Sequence, residues 1–349
     1  MLTKKQVTEI REHLEKAQNP VFFFDNDNDG LCSFLLLRRF LGRGKGVAVK
    51  SFPDMNAEYA RKVEELNSDY VFILDKPIVS VSFFEEVKNM NVPIVWIDHH
   101  EVQIEIPDFV NYYNPTLKKK NKNEPVTYLC QHIANRKEDL WLAVIGCISD
   151  RFFPDFYKDF MKLYPDLSVK ADDAFDIFYK SQIGNISKMF NFALKDTTSN
   201  VVKMLKFLID AKNPYDVIEE SNKNREMHLR FKQVYKKYEK LIEKAKASAD
   251  ENKILFFQYG GDLSISADLS NELHYLFPKK IIVVIKITGM KANISMRGEK
   301  IRKIFLDSIK DIEGAKGGGH ENAIGGQMGV EDLEVFRDNL EKEIILHNL

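Results

Sequence analysis

The chain has 349 residues and a mass of 40.5 kDa, which at roughly 100–200 residues per domain suggests about two domains. Apolar residues make up 44% and charged residues 30%, which excludes dominant disorder, and no apolar run approaches the ~20 residues that span a membrane. The 51 basic and 52 acidic residues leave a net charge of −1, which excludes coating of nucleic acid by bulk charge but not a local basic groove.

The N-terminus, MLTKKQVTEIREHLEKAQNP, places apolar residues at helical spacing and has no apolar signal core, so a cytoplasmic chain is expected. Cys32, Cys130 and Cys147 are far apart and form no CxxC, which argues against a disulfide framework and a structural zinc site. Val21 to Phe24, Val47 to Phe52, Tyr70 to Asp75 and Pro93 to Asp98 read as strands. Amphipathic stretches such as Ala57 to Leu66 and Ser82 to Asn89 lie between them. Strand and helix in alternation predict an α/β fold with a parallel sheet covered on both faces, and ligands bind such sheets at the C-terminal strand ends. Leu117 to Glu124 is a polar, basic loop, and Leu140 to Cys147 reads as a buried helix or strand. From about Asp172 to Asp250 the pattern is mostly helical, with one long helix over Met227 to Ala247. Strands return at Ile254 to Tyr259, Lys280 to Thr288 and Ala292 to Met296, with helices over Ser266 to Leu276 and Glu331 to Ile345. The expected organisation is a first domain over 1–185, a helical linker over 186–250 and a smaller α/β domain over 251–349.

The chemistry concentrates at the strand ends. DNDNDG, Asp25 to Gly30, follows the first strand, and its alternating carboxylates Asp25, Asp27 and Asp29 repel one another unless a divalent cation relieves the cost. A calcium loop of the EF-hand type would need a Glu where Leu36 stands and a helix before the loop, so that reading fails. Asp75 ends the third strand, although a strand-end Asp is most often a helix cap. Asp98-His99-His100 ends the fourth, and an imidazole beside a carboxylate suits a transition metal. Asp150 follows another apolar segment. A mixed Asp/His set at converging strand ends suits two ions, Mn²⁺ or Mg²⁺, better than one closed zinc site. Such an ion pair clamps a phosphate ester for hydrolysis. Near the C-terminus, Gly317-Gly318-Gly319-His320 reads as a loop whose backbone can approach an anion, and Arg297 at a preceding strand end suits bidentate phosphate contact.

In this order, DxDxDG, a strand-end Asp, DHH, GxxxD and GGGHxxAxG resemble the DHH phosphoesterase superfamily with its DHH-associated C-terminal domain. The resemblance covers about residues 20–330. Nano-RNase and pyrophosphatase relatives carry a His where Phe23 stands; this chain supplies Asp25 instead, as RecJ-like single-strand nucleases do. Pro107 and Asn114-Pro115 after DHH are also RecJ-like, and the short archaeal RecJ-like group looks closest. The resemblance implies that Asp27, Asp29, Asp75, His99 and Asp150 ligate two metals, with Asp25 supporting or ligating. It implies that Asp98 holds His99 and that His100 faces the scissile phosphate. It implies that Arg297, Gly317, Gly318, Gly319 and His320 bind phosphate or the terminal nucleotide, with the strand held in an interdomain cleft. Asn28, Lys76-Pro77 and Gly298 depart from the usual pattern without removing a ligand. No room is expected for the OB-fold of bacterial RecJ, so processive degradation of long DNA is expected only where a partner supplies the grip.

The function this implies is a two-metal phosphodiesterase acting on single-stranded DNA or RNA from an end, with replication or repair proteins as candidate partners. One alternative is a nano-RNase or a phosphoesterase for cyclic dinucleotides or nucleotide bisphosphates. Another, from a different class, is a non-catalytic replisome scaffold.

Overall fold

The computed structural model describes residues 1–50, 55–102, 104–117 and 124–347. Its contacts divide the chain into two units, Met1–Phe231 and Lys232–Leu349.

The first unit opens with α1 (Lys4–Lys16), whose Thr3 and Gln6 form a reciprocal capping box. It continues through β1 (Pro20–Asp25), α2 (Asn28–Leu41), β2 (Lys45–Val49), α3 (Ala57–Glu65), β3 (Tyr70–Leu74), α4 (Val81–Asn89), β4 (Ile94–Ile97) and β5 (Val110–Tyr113). The five strands form one parallel sheet in the order β2-β1-β3-β4-β5. Because side chains alternate along a strand, the Phe- and Val-rich runs feed two cores at once. Phe22, Phe24, Phe72, Leu74, Val95 and Ile97 pack on one face, and Val21, Phe23, Val71, Ile73, Ile94 and Trp96 on the other. Such strands read as continuous apolar runs, which made them visible in the sequence. β5 was not expected, since its VNYY is too polar and short to stand out. Of the expected strand over 47–52, residues 51 and 52 lie outside the described residues, as do residues 118–123 of the expected basic loop.

Helices follow: α5 (Val126–Ala134), α6 (Leu140–Ser149), α7 (Tyr157–Leu163), α8 (Ala174–Lys180), α9 (Gln182–Ala193), α10 (Thr198–Asp210), α11 (Pro214–Ile218) and α12 (Arg225–Ala247). The ambiguous segment from Leu140 is a helix, buried from Leu140 to Ile148, and it packs against α2, α5, α8 and α9. Asp150 therefore caps the end of a helix, one of the two readings that the apolar run had left open. In the stretch 186–250, Phe190, Met204, Leu205 and Leu208 of α9 and α10 belong to the same core as the first face of the sheet, and the unit boundary falls within α12.

The second unit contains β6 (Ile254–Gly260), α13 (Ser266–Leu276), β7 (Ile281–Thr288), β8 (Lys291–Arg297), α14 (Ile301–Ile309), β9 (Lys316–His320), β10 (Ala323–Gly329) and α15 (Leu333–Leu346). Its sheet has the order β6-β7-β8-β10-β9, with β6 and β7 parallel and the other pairs antiparallel. Val283, Ile285, Ala292, Ile294 and Met296 pack with Ile304, Phe305, Phe336 and Leu340 of α14 and α15. The glycine run, expected as a loop, is the edge strand β9. Packing explains part of it: a Cβ on Gly317 would come within 2.2 Å of the Phe305 ring, and one on Gly326, its partner in register, within 2.3 Å. No side chain fits between that part of the sheet and α14. Among the described residues, no helix is long and apolar enough to cross a membrane.

Candidate metal centre

β1, β3 and β4 are neighbours, so their C-terminal ends lie side by side. Asp25 closes β1, Asp75 follows β3 and donates its N–H to Ile97 O at 3.0 Å, and Asp98 follows β4. The chain turns after β1 into α2, whose N-cap is Asp27; its Oδ1 accepts from Gly30 N at 3.0 Å. Glycine at 30 is required by close approach, because a Cβ there would sit 2.4 Å from Asp25 O. Asp29 lies in the first turn of α2 and reaches the start of α5, where Val126 N and Thr127 N donate to its two oxygens at 2.8 and 2.7 Å.

These turns bring the predicted groups together. His99 Nε2 is 3.3 Å from Asp75 Oδ1, 3.6 Å from Asp150 Oδ2 and 3.9 Å from Asp29 Oδ2. His100 Nδ1 is 2.8 Å from Asp98 Oδ1 and 3.8 Å from Asp75 Oδ1. Two sets therefore hold ligand atoms within 4.8 Å of one another: Asp75, His99 and His100, and Asp29, His99 and Asp150. The expected support of His99 by Asp98 takes a different form. Asp98 Oδ1 pairs with His100, and its Oδ2 accepts from Tyr112 Oη at 3.2 Å. The pair joins two residues of the turn that follows β4. Asn114 Nδ2 donates to His100 O at 2.8 Å and fixes that turn from β5.

The electrostatics are those of crowded, buried acids. Burial pushes the Asp27 carboxyl up to about 7, and Asp25 and Asp29 push it the same way. Burial raises Asp75 and Asp150 well above the usual carboxylate range, with the surrounding aspartates adding to the shift. Burial raises Asp29 too, against the hydrogen bonds from Thr127 and Val126. For His100, burial works to lower the pKa, yet the Asp98 hydrogen bond and charge prevail and the ring's pKa rises. The donor set fits hard divalent ions: carboxylates and one or two imidazoles, with no thiolate among them. Asp75 Oδ1 is buried and has no hydrogen-bond partner among the described residues, a costly state that a cation relieves. Asp75 also adopts a left-handed φ of 60°, strain that the strand-end geometry holds in place.

Two contributors were not assigned a role from the sequence. Asn28, between two of the aspartates, donates from Nδ2 to Ser187 O at 2.8 Å, to Ser187 Oγ at 2.9 Å and to Ser149 Oγ at 3.0 Å. It thereby ties the start of α2 to the residue before Asp150. Lys76 is buried beside Asp25. No local signal announces either pairing.

In the second unit, Arg297 ends β8 with Nε donating to Asn271 Oδ1 at 2.6 Å and Nη1 to Met296 O at 2.8 Å. Arg297 and Ala323 are partners in register, as are Ala323 and His320, so the three lie in one row across the sheet. Gly317, Gly318, Gly319 and His320 are exposed on β9, and a Cβ on Gly318 would meet open space.

Residues 21–147 match the N-terminal domain of the DHH family, and residues 251–345 match the DHHA1 domain. The chain belongs to the DHH superfamily. RecJ from Thermus thermophilus, solved with Mn²⁺, matches this DHH protein with a TM-score of 0.68 at 15% identity, over 99% of this chain and 54% of that one. The chain thus spans about half the length of that RecJ. Another structure, exonuclease RecJ bound to manganese, matches at 0.61 and 16% identity over 97% and 93% of the two chains. CDC45 from Entamoeba histolytica matches at 0.51 and 12% identity over 98% and 99%. No curated protein matches in sequence. At these identities the likenesses establish the fold, which is the DHH phosphoesterase fold in its RecJ-like form.

Proposed function

We propose that this DHH protein is a metal-dependent phosphodiesterase that removes nucleotides from an end of single-stranded DNA or RNA. The observation that carries the reading is the convergence of Asp29, Asp75, His99 and Asp150, with Asp27 at the same turn, around Asp75 Oδ1, which has no hydrogen-bond partner among the described residues. These residues would hold two Mn²⁺ or Mg²⁺ ions. Bound there, the ions supply positive charge to the phosphate oxygens and activate water. His100 presents Nδ1 to Asp98, so Nε2 is the ring atom that can release a proton to the leaving oxygen. The Asp98 hydrogen bond and charge raise the ring's pKa and so favour its protonated form. Residues 251–349 would bind the strand end, with Arg297 on phosphate and the exposed glycine backbone admitting a nucleotide. The long helix α12 would join the two parts, and replication or repair proteins would be the chain's partners.

The test uses end-labelled oligonucleotides of two, five and thirty residues, as DNA and RNA, with Mn²⁺, Mg²⁺ or EDTA. Metal-dependent shortening of the longest from one end supports the proposal and gives its polarity. Turnover confined to dinucleotides would replace it with a nano-RNase. Metal binding without turnover of any substrate would leave a scaffold.

A further inference from the structure

Lys76 is 3% exposed, and its ammonium lies 2.9 Å from Asp25 Oδ1. Three constraints fix the backbone that delivers it. Asp75 turns the chain with its left-handed φ, Pro77 restricts Lys76 to an extended conformation, and Trp96 Nε1 donates to Lys76 O at 3.1 Å. The side chain then reaches from the end of β3 to the end of β1. A solvated lysine needs no such anchoring, and a buried one requires a counter-ion. An ammonium carries three N–H donors, and among the described residues the one bond recorded for it goes to Asp25. Among the described residues, Asp25 is absent from all three groups that could hold an ion. The side chains of Asp25, His100 and Asp150 are 17%, 22% and 28% exposed, so these are members of the cluster that solvent reaches.

We propose that Lys76 is a resident cation of this site. It takes Asp25 as its counter-ion, which removes Asp25 from the metal-ligand set, and it offers its remaining donors to a non-bridging oxygen of the substrate phosphate. The proposal deepens the phosphodiesterase reading and rests on it. A fixed positive charge here repels a divalent ion and attracts a phosphate, so its removal must move the two affinities in opposite directions. A purely structural lysine would move both the same way or neither.

Lys76→Met and Lys76→Gln are compared with Lys76→Arg and the unaltered full chain. Mn²⁺ binding is read by calorimetry, and binding of a short phosphorothioate-linked single strand by fluorescence anisotropy at saturating Mn²⁺. Both neutral variants are expected to bind Mn²⁺ about 3- to 10-fold more tightly and the strand about 10-fold more weakly, with Arg restoring strand binding. Asp25→Asn is expected to weaken Mn²⁺ binding less than about 5-fold, against about 100-fold or more for Asp75→Asn. Unchanged or same-sign shifts in both neutral variants overturn the proposal, as does a loss in Asp25→Asn equal to that in Asp75→Asn. If the unaltered chain binds Mn²⁺ but no strand, the phosphodiesterase reading fails and the phosphate contact falls with it. The Mn²⁺ measurements then still decide whether Asp25 belongs to Lys76.

Discussion

The two sheets of this protein end in opposite ways. In the first unit, three of the acids that follow β1, β3 and β4 are almost wholly buried: Asp29 and Asp98 are 1% exposed and Asp75 2%. In the second, β9 is exposed at every residue and carries three glycines in succession. Burial gives charges their strength, because it removes the water that would screen them. Exposure of bare backbone gives a ligand access to N–H groups without a side chain in the way. Buried charge and exposed backbone are contrary environments, and the chain builds each on its own sheet.

The sharpest way to break this contrast is Asp75→Asn. It is expected to abolish metal-dependent hydrolysis, by about 10³-fold or more in kcat, while the second unit melts as before. Next in size is Phe72→Ala, which removes a fully buried ring stacked on Phe22 and Tyr70. A loss of about 3–5 kcal/mol is expected in urea unfolding. If it lowers the midpoint of both units equally, they do not unfold separately. In the second sheet, Gly326→Leu forces a side chain onto Phe305 and should cost about 1–3 kcal/mol. Gly318→Ala meets open space and should change stability by less than about 0.5 kcal/mol, while weakening single-strand binding. A large stability loss there would show that all three glycines serve packing.

A further effect, of pH, is confined to the first unit. The folded Asp27 holds its proton up to about 7, whereas the unfolded residue releases it near 3.8. Between those values the folded state binds more protons, so this group's contribution to stability falls as pH rises, by about 1.4 kcal/mol per pH unit, and the loss is complete above about 7. Asp75 and Asp150 act in the same direction. Melting temperatures in EDTA should therefore lie closest to those in Mn²⁺ at about pH 5.5 and furthest below them at about pH 8. A gap independent of pH would contradict the buried-acid picture.

What could be read from the sequence was what is local. The apolar runs of β1, β3 and β4 announce themselves because both faces are buried, and the acids follow them directly. Asp150 was found, but its helix was not distinguished from a strand, since an apolar run has no period to show. The glycines were noticed for their backbone freedom, yet Gly317 and Gly326 answer to Phe305 on another element. The partners that complete the first site join residues 51, 121 and 159 apart in the chain: Lys76 with Asp25, and Asn28 with Ser149 and Ser187. Such pairings depend on the finished fold and leave no pattern in either segment.

That same distance in sequence has a kinetic meaning. Asp29 is joined to the start of α5 and faces Asp150, so the acids meet only after the sheet and the helices beyond it have closed their loops. Divalent ions added to the protein should then leave the refolding rate almost unchanged and slow unfolding, a lifetime effect visible in one arm of a chevron plot.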